Sequence, residues 1–337
     1  MRVRMIITLT DGADPVDVRA ALTDLGLWVR EFSGERGTMQ FLVRPYSGRV
    51  DRADLLALAG VADVAEPASP HPLVDAQPST VVVGSTKIGA AADPVLMAGP
   101  CSVESEDQIH TVARRLADIG ATFLRGGAFK PRTSPYDFQG LGGEALRWLR
   151  DAADAHGLQV VTEAMSESTM DEVARVADLV QIGSRNMHST PLLQAAGRTG
   201  RPVLLKRGMA ATVDEWLAAG EYCLDAGAPA VVFCERGIRS FDDRTRNLLD
   251  LASVALLRHV YGHPVIVDPS HALGRRDLVL PLGRAAIAAG ASGLLIEVHP
   301  RPGAALSDGP QAVPFELAAE LAAALAAKRP ALLAGES

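Results

Sequence analysis

Eight short apolar runs recur between residues 95 and 298, each followed by a stretch rich in Ala, Leu and Arg with helical periodicity. They are VLMAGP (95–100), TFLRGG (122–127), QVVTEA (159–164), LVQIGS (179–184), PVLLKR (202–207), AVVFCE (230–235), PVIVDPS (264–270) and GLLIEV (293–298). Eight strand-then-helix repeats, in about the length such an assembly needs, predict a closed parallel (β/α)8 TIM barrel, an α/β fold. An open, doubly wound sheet is the alternative. It would carry a Gly-rich G-x-G-x-x-G turn after its first strand, and none stands there.

Ahead of the barrel, residues 1–67 read as strand MRVRMIITL, helix DPVDVRAALTDLG, strand LWVREFS, turn GERG, strand TMQFLVRP, helix RVDRADLLALAG and strand VADVAEP. That βαββαβ order predicts a small ferredoxin-like α+β domain. Residues 68–80, rich in Pro, Ala and Ser, have no apolar period and read as a linker. The barrel then spans 81–330, opening with a short hairpin at VVVGSTKIG, and 331–337 reads as a loose tail.

The chain can fill such a plan: 337 residues with 48% hydrophobic and 22% charged content suffice for one large core and a small second domain. A net charge of −7 argues against nucleic acid or an anionic membrane surface as partner, since either needs a broad cationic face. The apolar run at the N-terminus is too short for a signal sequence, and no later stretch approaches a bilayer span. The cytoplasm is therefore the expected location. Three cysteines without a C-x-x-C pair make no disulfide framework.

In a parallel barrel the C-terminal strand ends face the catalytic mouth, so chemistry is read there. Those ends carry Cys101, Arg125, Glu163, Arg185, Lys206 with Arg207, Glu235 with Arg236, His271 and Glu297. Any one could be a solvated or stabilising charge; polar residues at every end of otherwise apolar runs point to a site.

Cys101, His271, Glu297 and Asp308, the last in the loop ALSDGPQ, combine a thiolate, an imidazole and two carboxylates. That donor set suits one divalent transition ion, manganese, iron, cobalt or zinc, better than calcium or magnesium with their all-oxygen shells. A lone cysteine is usually a small core hydrophobe, the reading given to Cys223 and Cys234; Cys101 differs by following Gly-Pro at the mouth. A second group is cationic: Arg125, Lys130, Arg132, Arg185, Lys206, Arg207, Arg236 and Arg239. So much positive charge at one end of an acidic protein implies anionic ligands, and more cations gather than one phosphate needs. The loop GGAFKPRTSPYDFQGLGG, with Lys130, Arg132, Thr133 and Ser134, reads as an oxyanion-facing segment.

The segments AGPCSVES, GGAFKPRTSPYDFQGLG, TEAM, QIGSRNM, LLKRGM, CERGIRSF, DPSHALGRRD and EVHP with ALSDGPQ resemble the type I, β-subgroup 3-deoxy-7-phosphoheptulonate (DAHP) synthases. The likeness covers essentially the whole barrel, with small departures at Met97, at His188-Ser189-Thr190 and at Leu273. It implies condensation of phosphoenolpyruvate with D-erythrose 4-phosphate and water, releasing phosphate, as the first step of the shikimate route to aromatic amino acids. By motif, Cys101, His271, Glu297 and Asp308 would hold the metal, with manganese as the expected ion. Arg125, Lys130, Arg185, Lys206 and Arg236 would bind phosphoenolpyruvate; Arg132, Thr133 and Ser134 would hold the aldose phosphate. Lys130 and Glu163 are the proton-relay candidates, beside the catalytic Cys101 and His271.

The alternative is a 3-deoxy-8-phosphooctulonate synthase using arabinose 5-phosphate, against which KPRTS speaks where that family has a Lys-Ala-Asn-Arg-Ser-like loop. A metabolite-binding barrel that has lost catalysis is a further alternative, and the intact ligand set argues against it. The resemblance also implies a homotetramer, and residues 1–67 matching the family's regulatory module in layout imply feedback inhibition by Phe or Tyr.

Overall fold

The computed structural model describes residues 5–34, 38–44, 47–48, 50–66, 68–130, 136 and 138–327. Its contacts divide the chain into two compact units, Met1–Asp75 and Ala76–Ser337.

In the first unit β1 (Ile6–Leu9), α1 (Pro15–Asp24), β2 (Val29–Ser33), β3 (Met39–Val43), α2 (Arg52–Leu56) and β4 (Val61–Ala65) follow one another as the periodicity predicts. The strands form an antiparallel sheet ordered β2-β3-β1-β4, the split-βαβ arrangement. Asp14 caps α1 by accepting from the Val16 N–H, with Pro15 at the first helical position where a missing N–H costs nothing. Ile7, Leu22, Leu27, Phe41 and Leu55 are fully buried in this unit's own core. Within the stretch read as a linker lies a five-residue helix, α3 (Pro72–Ala76), started by Pro72 and burying Val74. The turn 35–37 falls outside the described residues.

The second unit opens with the hairpin β5 (Thr80–Val83) and β6 (Thr86–Gly89), paired antiparallel. The barrel then begins with β7 (Val95–Gly99), α4 (Glu106–Asp118), β8 (Phe123–Arg125), α5 (Gly143–Ala155), β9 (Gln159–Ala164), α6 (Glu167–Val176), β10 (Leu179–Ile182) and α7 (Thr190–Arg198). It continues with β11 (Val203–Lys206), α8 (Val213–Asp225), β12 (Val231–Glu235), α9 (Leu251–Ala255), β13 (Val265–Val267), α10 (Pro269–Leu273), α11 (Val279–Ala288), β14 (Gly293–Glu297) and α12 (Phe315–Ala326). All eight barrel strands pair in parallel, and β14 returns to β7 to close the cylinder, with Glu297 opposite Gly99. Strands of this kind are covered on both faces, so they read as unbroken apolar runs, and the runs at 95–100 and 293–298 are buried throughout.

The helices are built from amphipathic pattern and caps. Ser105 accepts from the Gln108 N–H to start α4, whose Ile109, Val112, Ala113 and Leu116 fall on one stripe and are buried. Inside the barrel, Met97, Phe123, Val161, Leu204, Val232, Cys234, Ile266 and Leu295 form the core. Val81, Val83 and Ile88 of the hairpin join that cluster, and Gln159 at the start of β9 donates to Ser85 Oγ (3.1 Å), so the hairpin stops the N-terminal end. The opposite end stays open for chemistry. Gly99 shows how tightly that end is built: it has φ +153°, and a Cβ there would lie 1.9 Å from the Arg125 carbonyl oxygen.

Candidate active site at the barrel mouth

Four side chains from three strand ends and one long loop meet at the mouth. Cys101 follows β7, His271 sits on α10 just beyond β13, Glu297 ends β14, and Asp308 lies in the loop after β14. One donor atom from each lies within 4.8 Å of all the others. Cys101 Sγ approaches Asp308 Oδ2 at 3.0 Å, and His271 Nε2 approaches Glu297 Oε1 at 3.2 Å.

Three of the four are held from behind. Asp268 caps α10, its Oδ1 accepting from the His271 backbone N–H (2.9 Å) and its Oδ2 accepting from the His271 ring at Nδ1 (2.7 Å). With Nδ1 turned to Asp268, Nε2 faces Glu297 Oε1, and a cation between them would be held by the ring's lone pair and the carboxylate oxygen in place of the ring proton. Glu297 takes Arg125 Nη1 on Oε1 (2.9 Å) and Gln311 Nε2 on Oε2 (2.5 Å). Asp308 is the one non-glycine residue with left-handed backbone among the described residues (φ 51°), a conformation that Asp tolerates better than most. Its loop is tied to the segment after β7 by a ladder: Ser102 Oγ with Ser307 Oγ (2.6 Å), and Glu104 Oε1 accepting from the Leu306 N–H (2.8 Å).

The electrostatics are those of a cation site. Burial pushes the carboxyls of Glu297 and Asp308 upward, yet their partners win and both end below the usual carboxylate range. For Glu297 these partners are chiefly the His271 and Arg125 charges; for Asp308 they are the Cys101 hydrogen bond, His271 and Lys130. Burial and the Glu297 charge push the Cys101 thiol up to about 12. Without an ion the thiol keeps its proton and donates it to Asp308; a divalent transition ion would displace it, as thiol ligands require. Sulfur, nitrogen and two oxygens at these separations fit a transition ion.

Beside the cluster opens a pocket of about 290 Å³ lined by five cations, Lys130, Arg185, Lys206, Arg236 and Arg246, with Glu163, His271 and Asp308 among the other walls. Lys130 Nζ reaches Cys101 Sγ (2.9 Å) and the Cys101 carbonyl (3.0 Å), so it borders both cluster and pocket. Glu163 Oε2 accepts from Gln181 Nε2 (3.1 Å), and Gly183 gives it room, since a Cβ there would lie 2.0 Å from Glu163 Oε1. Arg185 projects from a 3-10 turn, Ser184–Asn186, after β10.

Three of the expected cations stand elsewhere. Arg125 is buried against Glu297 and the Pro100 carbonyl, under the cluster rather than along this pocket. Arg207 points inward to Glu235 Oε2 (3.0 Å) and Asp250 Oδ2 (2.8 Å), because Glu235 is fully withdrawn from water beside it and Asp250 is half-buried. Arg239 is exposed, with its backbone N–H bonded to the Met209 carbonyl. Arg132, Thr133 and Ser134 lie outside the described residues.

The family model for the DAHP synthetase I family matches residues 73–333. The chain belongs to that family. A phospho-2-dehydro-3-deoxyheptonate aldolase of Thermotoga maritima is 50% identical over 243 residues, 72% of each chain. The crystal structure of the DAHP synthase of that organism superposes with a TM-score of 0.73 at 41% identity, over 95% of both chains. A 2-dehydro-3-deoxyphosphooctonate aldolase of Thiobacillus denitrificans is more distant, 34% identical over 67% of this chain and 86% of its own. This member of the DAHP synthetase I family is thus a homologue of DAHP synthase, and its parallel barrel is the fold of that structure. Among the described residues no helix is long and apolar enough to cross a membrane.

Sequence reasoning missed Asp268, Arg246, Gln181 and Gln311. The first had a readable signal: Asp-Pro-Ser-His after an apolar run is a helix cap with proline at the first position, which puts the Asp carboxylate against the residue three further on. Arg246 sits in the middle of a loop, eleven residues past the end of β12, and nothing local marks it.

Proposed function

We propose that the chain condenses phosphoenolpyruvate with D-erythrose 4-phosphate and water, forming DAHP and inorganic phosphate. The observation that carries this is the four-donor cluster opening onto a pocket walled by five cations. Such a wall matches two phosphates and a carboxylate better than a neutral ligand.

Lys206, Arg185 and Arg236 bind the phosphate and carboxylate of phosphoenolpyruvate, and Arg125 fixes the cluster by holding Glu297. Arg132, Thr133 and Ser134 hold the aldose phosphate, a reading that rests on the sequence alone. Cys101, His271, Glu297 and Asp308 would hold a divalent ion, taken as manganese, which would supply Lewis acidity when bound. The phosphoenolpyruvate methylene carbon bonds to the aldehyde carbon, and Lys130, beside Cys101, gives a proton to the aldehyde oxygen as it becomes a hydroxyl. Water adds to the carbon that bears the phosphate ester and Glu163 takes one of its protons; as phosphate leaves with the electron pair of the cleaved carbon–oxygen bond, the new hydroxyl becomes the ketone and its proton returns to Lys130. Fixed guanidinium and ammonium groups offset the charge throughout without reorganising.

The cytoplasm is the proposed location, a homotetramer the proposed assembly, and Phe or Tyr the proposed effector of residues 1–67. Phosphate release with erythrose 4-phosphate, compared with arabinose 5-phosphate and with a chelator present, tests the reaction. Faster turnover of the five-carbon aldose, or full activity after chelation, overturns it. Retained inhibition by Phe or Tyr after deletion of residues 1–70 overturns the regulatory assignment.

A further inference from the structure

Between the metal-type cluster and the cationic pocket stands one carboxylate that serves both. Asp268 Oδ2 accepts from Lys206 Nζ at 2.5 Å and from His271 Nδ1 at 2.7 Å, the same oxygen for both. Its side chain is fully buried, and its backbone N–H is fixed on the Glu235 carbonyl (2.8 Å) at the end of β12. Water does not reach it, so its negative charge is divided between a ring that faces the ion and an ammonium that faces the substrate anion.

We propose that Asp268 is a positioning residue that couples the two ligands, giving to His271 whatever share of its charge Lys206 releases. The inference rests on the reading of Cys101, His271, Glu297 and Asp308 as the ion site and of Lys206 as a phosphoenolpyruvate cation. When an anion arrives in the pocket, the Lys206 ammonium turns part of its charge to it and its hold on Oδ2 weakens. The His271 Nδ1–H then has the carboxylate more to itself, which makes Nε2 a stronger donor toward the ion. By reciprocity an ion on Nε2 makes Nδ1–H a better donor, satisfies Asp268 and frees Lys206 for the anion.

The test uses the full-length protein stripped of metal, with manganese alone and phosphoenolpyruvate alone each titrated by calorimetry. In Asp268→Asn the manganese affinity falls by about 10- to 100-fold, the range for removing the carboxylate behind a metal-bound histidine. Phosphoenolpyruvate binding to the same metal-free variant is unchanged or tighter, because Lys206 has lost its internal counter-charge. A purely structural role would weaken both ligands together, and that result overturns the proposal. Should the variant fail to fold, Lys206→Met decides. Leaving Asp268 wholly to His271, it binds manganese as tightly as wild type or more tightly, whereas weaker binding overturns the coupling. Wild-type protein that takes up no manganese sinks the site assignment itself, a result distinct from equal manganese binding by wild type and Asp268→Asn, which sinks only the bridge.

Discussion

Replacing Arg207 by Met removes a charge from the barrel wall while keeping the side-chain stem, and its cost can be worked from the contacts. Arg207 donates to Glu235 (3.0 Å), Asp250 (2.8 Å), Ser253 (3.2 Å) and, through Nε, the Ala211 carbonyl (3.1 Å), and its guanidinium lies over Trp216. Glu235 is 0% exposed and would keep only the Gly237 N–H on its other oxygen. Breaking a buried ion pair from one side costs about 3–5 kcal/mol. For a domain of this size that lowers the melting temperature by roughly 5–15 °C. The pH dependence gives a second check. Burial already holds the Glu235 carboxyl above its ordinary value despite the opposing Arg207 charge, and losing Arg207 raises it further. An acid with a raised folded-state pKa destabilises the fold fully above that pKa, and the penalty fades as pH falls toward the usual carboxylate value of about 4.3. Melting monitored by circular dichroism should therefore show a larger gap between Arg207→Met and wild type at pH 8 than at pH 5. Adding Glu235→Gln to the variant should recover part of the loss. A gap worth under about 1 kcal/mol, or the same at both pH values, would refute the account of a buried charge left unpaired.

Cys101→Ala is expected to leave the metal-free melting temperature near wild type while weakening manganese binding by ~100-fold or more and lowering turnover in step; metal content and initial rates read both. Because the Cys101 thiol stands near 12, it is protonated at neutral pH and must lose that proton to an ion. Apparent metal affinity should climb by about tenfold per pH unit between pH 6 and 8, and calorimetric heats should scale with buffer ionisation enthalpy; flat behaviour contradicts thiolate ligation. Gly183→Ala pushes a methyl into Glu163 Oε1 and should lower kcat by ~10- to 100-fold without changing metal affinity.

The barrel was legible because its strands are covered on both sides, so each prints an unbroken apolar run that ends at the mouth. Cys101, His271, Glu297 and Asp308 could be named as one donor set because each follows such a run or its loop. What stayed hidden depends on pairing across distance. Lys206 looked like one more free cation until Asp268, 62 residues on, came to rest against it. Arg207 sits next to Lys206 and has the same charge, yet its neighbours are Glu235 and Asp250, so adjacent residues turn to opposite sides of the strand. In the stretch 68–80, low apolar content masked α3, which needs only Pro72 to start and Val74 to anchor it.

The seam at which β14 meets β7 has a consequence for biosynthesis. Cys101 enters near the start of the barrel, while Asp308 arrives 207 residues later and Glu297 shortly before it. A ribosome-bound chain that has emerged only through β13 holds the thiol but neither acid, so it cannot scavenge an ion tightly before its last strand docks. On the proposed ligand set, competence for catalysis is tied to completion of the cylinder, and metal uptake would report successful closure in refolding or in circularly permuted chains cut elsewhere in the ring.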